Sequence, residues 1–406
     1  MASFPSLLVR LLLAGLCLSL LELRCDAQEF DGLVRNPQEL VGKSVLITPE
    51  RGRTEAGTIT EIFQPADDPI AILHFGFKST RGRNRRFTPD QIRELRIDNR
   101  TMDLLPHLPS GGIHLIDVES AESTVDARLK ELKRERRTPH DEKAFKELTA
   151  SALNDIRTAV KKLSIARQVA VMEGERVILV SDYPARQRPE ILRFIDGFIP
   201  KLNEIFGFDE DAHVLPGKPI VALFATRENL GVFQRDVVGN PSYGSIRAFF
   251  HIVDGHVVVT AEDDRSPKHA VWQVAWGLSG AYAVFSYSSV VLPAWIRVGV
   301  QQHSADLLVP ALSEPDHERK RVLQEINGGS LNGLFIAENL PLDRQVVCKL
   351  VVAHLYKLSP TAFGQTIHLL KNGLDTNEAL SISYGLSDQQ TAQSFGAAMG
   401  IPQLTP

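Results

Sequence analysis

Residues 266–285 constrain the fold more than any other stretch. Ser266 followed by Pro267 supplies a cap and a proline at the first helical position, and Val271, Val274, Leu278, Ala281 and Phe285 recur at three- and four-residue steps. That stripe is one face of an α-helix, and it needs an apolar layer to cover it. Pro293 opens a second helical pattern containing Trp295 and Val298. Ahead of the first helix come a strand-like run at 177–183, a helix ending at 204–208, an apolar strand at 219–224, and a hairpin spanning 246–260 around Asp254-Gly255. Helical patterns dominate from Ser266 to the end. A short mixed sheet packed on mainly helical chain is an α+β arrangement.

The order of these elements, with Trp272-Gln273-Val274-Ala275-Trp276 and Pro293-Ala294-Trp295-Ile296-Arg297-Val298-Gly299, resembles the gluzincin branch of the zinc metallopeptidases. More narrowly it is similar to the secreted bacterial domains called peptidase MA-like, over about residues 168–400. The resemblance implies a zincin-like domain. In that family a helix carries His-Glu-x-x-His, and a later helix, opening with a motif like Pro-x-Trp-Leu-x-Glu-Gly-x-Ala, supplies the third ligand. Residues at i and i+4 leave a helix on one side, so two imidazoles can meet one tetrahedral zinc. The Glu beside the first His then takes a proton from the zinc-bound water.

Carried over position by position, Trp272 stands for the first His, Gln273 for the catalytic Glu, Trp276 for the second His and Val298 for the third ligand. An indole N–H only donates, valine has no polar atom, and an amide is no carboxylate base. The resemblance therefore implies a degenerate motif with no catalytic residue and no metal. Trp272 and Trp276 either fill a former cleft or line it, with Trp295 nearby, as an aromatic binding groove. Filling is favoured, because aromatic side chains more often contribute buried area than ligand contacts. A shifted site through His269, His303 and Asp306 lacks the pair of histidines four apart that zinc helices use.

Other chemistries find less support. The chain has neither Gly-x-x-x-x-Gly-Lys-Ser/Thr nor Gly-x-Gly-x-x-Gly, so no nucleotide cofactor is expected. Gly277-Leu278-Ser279-Gly280 lacks nucleophile-elbow spacing and sits inside the helical pattern. With 43% apolar and 23% charged residues and a formal charge of -4, nothing favours disorder or whole-protein binding to nucleic acid.

The N-terminal 27 residues read as a cleavable signal peptide. Arg10 precedes an apolar run from Leu11 to Leu21, too short to span a bilayer, and Cys25-Asp26-Ala27 offers small residues where a signal peptidase cuts. The expectation is an exported protein, secreted or periplasmic, with no transmembrane anchor and with Cys348 as its lone mature cysteine.

The chain between this leader and the metallopeptidase-like region divides in two. Residues 36–99 show short strand runs at 45–47, 57–63 and 71–77 separated by turn residues, a rhythm resembling a small Src-homology-type barrel, which usually binds partners. Within it Lys78, Arg81, Arg83, Arg85 and Arg86 form a basic loop able to hold an acidic polymer or a membrane surface, against the plainer reading of a solvated loop. Asn99-Arg100-Thr101 fits a glycosylation sequon. Residues 119–165 read as a charged helical connector whose apolar face, from Phe145 through Leu148, Ala152, Ile156 and Val160 to Leu163, is expected to dock on the larger domain.

The expectation is an exported, non-catalytic pseudo-metallopeptidase acting as a binding or structural module, with an unidentified protein or polymer partner outside the cytoplasm. The alternatives are a hydrolase with an unrecognised or shifted site, and a binding protein whose function resides in the N-terminal barrel.

Overall fold

The computed structural model describes residues 33–66, 70–107, 112–120, 127, 129–130, 137–239, 248–263, 266–312, 315–326, 328–401 and 403–406. The signal-peptide reading falls on 1–27, outside them.

Seven strands form the N-terminal sheet: β1 (Ser44–Pro49), β2 (Glu55–Phe63), β3 (His74–Ser79), β4 (Asn84–Phe87), β5 (Ile92–Ile97), β6 (Arg100–His107) and β7 (Gly112–Asp117). Their order is β4-β3-β2-β1-β5-β6-β7, antiparallel throughout. Alternation in the strands puts Val45, Ile47, Ile59, Phe75, Phe77, Leu95 and Leu115 into one core.

The sequence rhythm predicts a unit ending near residue 99, whereas the sheet continues through β6 and β7. Pro106 is tolerated because β5 pairs with β6 only as far as Met102, leaving β7 as the partner at Pro106. Barrel closure is not part of this ladder. A bridge between Ile72 and Ile113 joins β7 to the chain just ahead of β3.

The rest of the chain builds α1 (Glu142–Lys161), β8 (Ala170–Glu173), β9 (Ile178–Ser181), α2 (Arg188–Asp196), α3 (Phe198–Ile205), β10 (Ile220–Phe224), α4 (Arg227–Phe233), β11 (Ala248–Val253) and β12 (His256–Glu262). After these come α5 (Pro267–Phe285), α6 (Ala294–Leu308), α7 (Pro315–Glu325), α8 (Gln345–Leu358), α9 (Pro360–Lys371), α10 (Thr376–Tyr384) and α11 (Asp388–Met399). The second sheet runs β11-β12-β10-β9-β8. Its centre is parallel, and its two edges, β11 and β8, are antiparallel to their neighbours. Asp254 and Gly255, both at positive φ, turn β11 into β12, a conformation that glycine adopts without strain.

Each central strand is apolar on both faces, the mark of a sheet covered twice. Ile178, Val180, Ile220, Ala222 and Phe224 face Ala152, Ile156 and Val160 of α1 and Leu230 and Phe233 of α4. The intervening Leu179, Val221, Leu223, Val257 and Val259 face a larger core with α5, α6 and α8. The helix inside the predicted connector is therefore one outer layer of this unit. Gly299 lets α6 approach α8, since a Cβ there would stand 2.6 Å from the Cys348 carbonyl oxygen. Among the described residues no helix is long and apolar enough to cross a membrane.

Candidate functional site

The Ser266 hydroxyl accepts from the His269 amide at 3.2 Å, and Pro267 begins the helix as its spacing predicts. The stripe of α5 turns into the core, with Val274, Leu278 and Ala281 fully buried. Trp272 and Trp276 are half-buried at its edge.

The Trp272 indole N–H donates to Asp306 Oδ1 on α6 at 2.8 Å. Further along, the Ser279 hydroxyl lies 3.4 Å from the Val300 carbonyl and 3.3 Å from Ser304 Oγ. These contacts make α5 and α6 antiparallel and set their register. At 1.5 Å per residue Val298 lies about 12 Å along α6 from Asp306, while Trp276 is only about 6 Å along α5 from Trp272. Val298, expected to stand for the third ligand, thus falls past Ser279 along the hairpin, and the α6 residue that meets Trp272 is Asp306.

Gln273 is buried and held from two sides. Its carbonyl oxygen accepts the Glu262 amide at 3.3 Å, and its amide nitrogen lies 3.1 Å from His269 Nδ1. His269 also stacks parallel to Trp272, with ring centroids 6.0 Å apart. The position expected to hold a base therefore ties the start of α5 to the end of β12.

Asp306 belongs to a buried ionic group that the sequence gives no hint of. The Lys349 ammonium on α8 pairs with both Asp306 and Glu318 on α7, the three side chains being 8%, 13% and 20% exposed. One internal cation is thereby shared by two carboxylates, which leaves the group a formal charge of -1. No group of three or more His, Cys, Asp or Glu side chains able to hold a metal occurs among the described residues.

His303 lies one turn before Asp306, buried edge-on against Tyr356, with Nε2 unpartnered among the described residues. Burial pushes its pKa down to about 4, helped by Lys349 and opposed by Asp306. Its helix carries no second histidine to share that face. Trp295 departs from expectation as well. It is fully buried, 3.3 Å from Thr376 Oγ1 and edge-on to Phe335, and so is core rather than the wall of an open groove.

The C-terminal end of α5 is held by cations. Lys371, buried on α9, donates to the carbonyls of Ala283 and Val284, and Arg137 also donates to the Val284 carbonyl. Burial and then Arg137 lower the Lys371 pKa to about 8. Charges here oppose the negative end of the helix dipole.

Four cavities among the described residues have volumes of about 830, 640, 660 and 470 Å³, and Trp272, Trp276, Trp295 and Val298 line none of these four. The largest lies between the ends of α3 and α9, where the Tyr287 ring is stacked between Phe208 and His368. Nothing in local spacing foretold it, because its walls come from three separate stretches.

In the N-terminal sheet the basic loop is the β3–β4 hairpin. Arg85 pairs with Glu55 and lies over Phe87, and Arg86 pairs with Glu61 at 3.3 Å and lies over Phe63. Lys78, Arg81 and Arg83 are exposed.

No family model matches the chain, and no curated protein matches it. Among solved structures, a functionally unknown conserved protein from Bacillus anthracis str. Ames is similar over 91% of this chain and 67% of its own, at 9% identity and a TM-score of 0.31. A likeness this slight carries no argument about fold or function.

Proposed function

We propose that this protein is an exported, non-catalytic relative of the zinc metallopeptidases, working outside the cytoplasm as a binding or structural module. The carrying observation is what occupies the motif helix. Where the resembled family places two histidines and a glutamate, this chain has Trp272, Gln273 and Trp276. The Trp272 N–H is given to Asp306, the Gln273 carbonyl accepts from β12 and its amide nitrogen meets His269, while Lys349 is shared between Asp306 and Glu318. These three motif positions offer no carboxylate base to activate water and no imidazole pair to hold a cation. A second reading, in which the N-terminal sheet is a Src-homology-type unit that binds the partner, is favoured by the exposed cations of its β3–β4 hairpin.

Elemental analysis of the purified protein, prepared without chelator and offered zinc, tests the reading. Near-zero stoichiometry is expected. One zinc per chain, lost on replacing His269 or His303 with Ala, would overturn it and reopen catalysis.

A further inference from the structure

The sheet topology gathers more positive charge than the sequence loop alone contains. Strands β2 and β3 pair Gly57 with Ser79, and the Thr80 amide donates to the Ala56 carbonyl at 2.9 Å. The tip of the β3–β4 hairpin thus lies beside the start of β2, and with it the β1–β2 turn that carries Arg51 and Arg53. One end of the sheet thereby presents Arg51, Arg53, Lys78, Arg81, Arg83 and Arg85, all exposed. Against these stand Glu50 and Glu55, and Glu55 is already paired with Arg85. Among the described residues Arg51, Arg53, Lys78, Arg81 and Arg83 take part in no ion pair. In a chain of net charge -4 this is a local reversal of sign.

We infer that this end of the N-terminal sheet binds a linear polyanion bearing closely spaced phosphate or sulfate groups. Guanidinium groups engage such anions with two parallel N–H donors, which favours arginine where it outnumbers lysine. A bilayer fits less well. Residues 50–54 and 79–84 hold no large apolar side chain to enter a lipid surface, only Arg, Glu, Ser, Thr, Gly and Asn. Base recognition fits no better, because the neighbouring rings Phe77 and Phe87 are buried and Phe63 lies under Arg86. The inference stands apart from the reading of α5 and survives its failure.

Binding of the purified protein to heparin and to inorganic polyphosphate, measured across a salt series, tests it. If about five cations engage, log affinity falls against log salt with a slope near -3.5, roughly 100-fold between about 50 and 200 mM. The combined variant Lys78→Gln, Arg81→Gln, Arg83→Gln should cut that loss to about 10-fold over the same range and leave the melting temperature unchanged, since all three side chains are exposed. A control neutralising the exposed Lys161, Lys320 and Arg321 makes the same change in net charge elsewhere. Absence of binding to both polymers, an equal loss in the control, or tighter binding to mixed phosphatidylserine–phosphatidylcholine vesicles than to either polymer would each overturn the proposal.

Discussion

Replacing Lys349 with methionine removes the cation from between two carboxylates and leaves a side chain of similar length. Lys349 is 8% exposed and its partners 13% and 20%, so the group lies between full burial and the surface. Removing one partner of a buried pair costs about 3–5 kcal/mol, because the remaining charge is left without compensation. Partial exposure of Asp306 and Glu318 puts the expected loss at the lower end, about 3 kcal/mol. Chemical denaturation followed by tryptophan fluorescence reads it directly, since Trp272 donates to Asp306. Adding Asp306→Asn and Glu318→Gln to Lys349→Met should recover most of the loss. The uncharged amides need no cation, and the amide oxygen at position 306 can still accept the indole N–H. A Lys349→Met variant within about 0.5 kcal/mol of the parent, or a triple variant that falls as far as the single one, would refute the ionic argument.

Converting Trp272 and Trp276 together to His should lower stability by about 2–4 kcal/mol, less than two fully buried aromatics would lose because both are half-buried; an unchanged melting curve would mean that neither ring fills the former cleft. Stability should also fall between about pH 6.5 and 4. Burial holds both His303 and His354 down to about 4 in the folded chain, so the unfolded chain takes up protons first as the pH drops. Each accounts for on the order of 3 kcal/mol, fully present above pH 6.5 and lost as the pH falls through about 4. A denaturation midpoint that stays constant from about pH 7.5 to pH 5 would exclude this titration. Cys348 is fully buried and its thiol is pushed up to about 12, mainly by burial. Its peptide should stay unmodified by iodoacetamide in the folded protein and react in urea, and stoichiometric native labelling would contradict the packing.

Local signals in this chain are strong where one element carries its own punctuation. The Ser266-Pro267 cap and the Asp254-Gly255 turn stand where the sequence puts them, because each depends on residues a few positions apart. The five-residue run Ile220–Phe224 is a strand buried on both faces, and continuous apolar character shows that directly. The pairing of Lys349 with Asp306 and Glu318 was not legible, since it joins three helices across separations of 43 and 31 residues. The same holds for Lys371, which reaches back 88 residues to the end of α5. The register of α5 on α6 was not legible either. Matching motifs at Trp272 and Val298 fixes residue types, but the depth at which two helices overlap depends on small residues such as Gly280 and Gly299, whose neighbours come from elsewhere in the chain.

That register explains how the frame stands without a metal, on the reading proposed above. In a zinc site the ion joins two helices by bonding to both. Here α5 is joined to α6 by Trp272 to Asp306 and by the contacts of Ser279, to β12 by Gln273, and at its C-terminal end to α9 by Lys371. Each link is a side-chain hydrogen bond, worth on the order of 1 kcal/mol net, or about 1.5–3 where a charged group takes part. Several such links, spread along the helix and backed by the fully buried Val274, Leu278 and Ala281, hold its ends and its middle. A single ion would hold only the middle. On that reading, a helix fixed in this way needs no open coordination position, and its stability should not vary with metal supply.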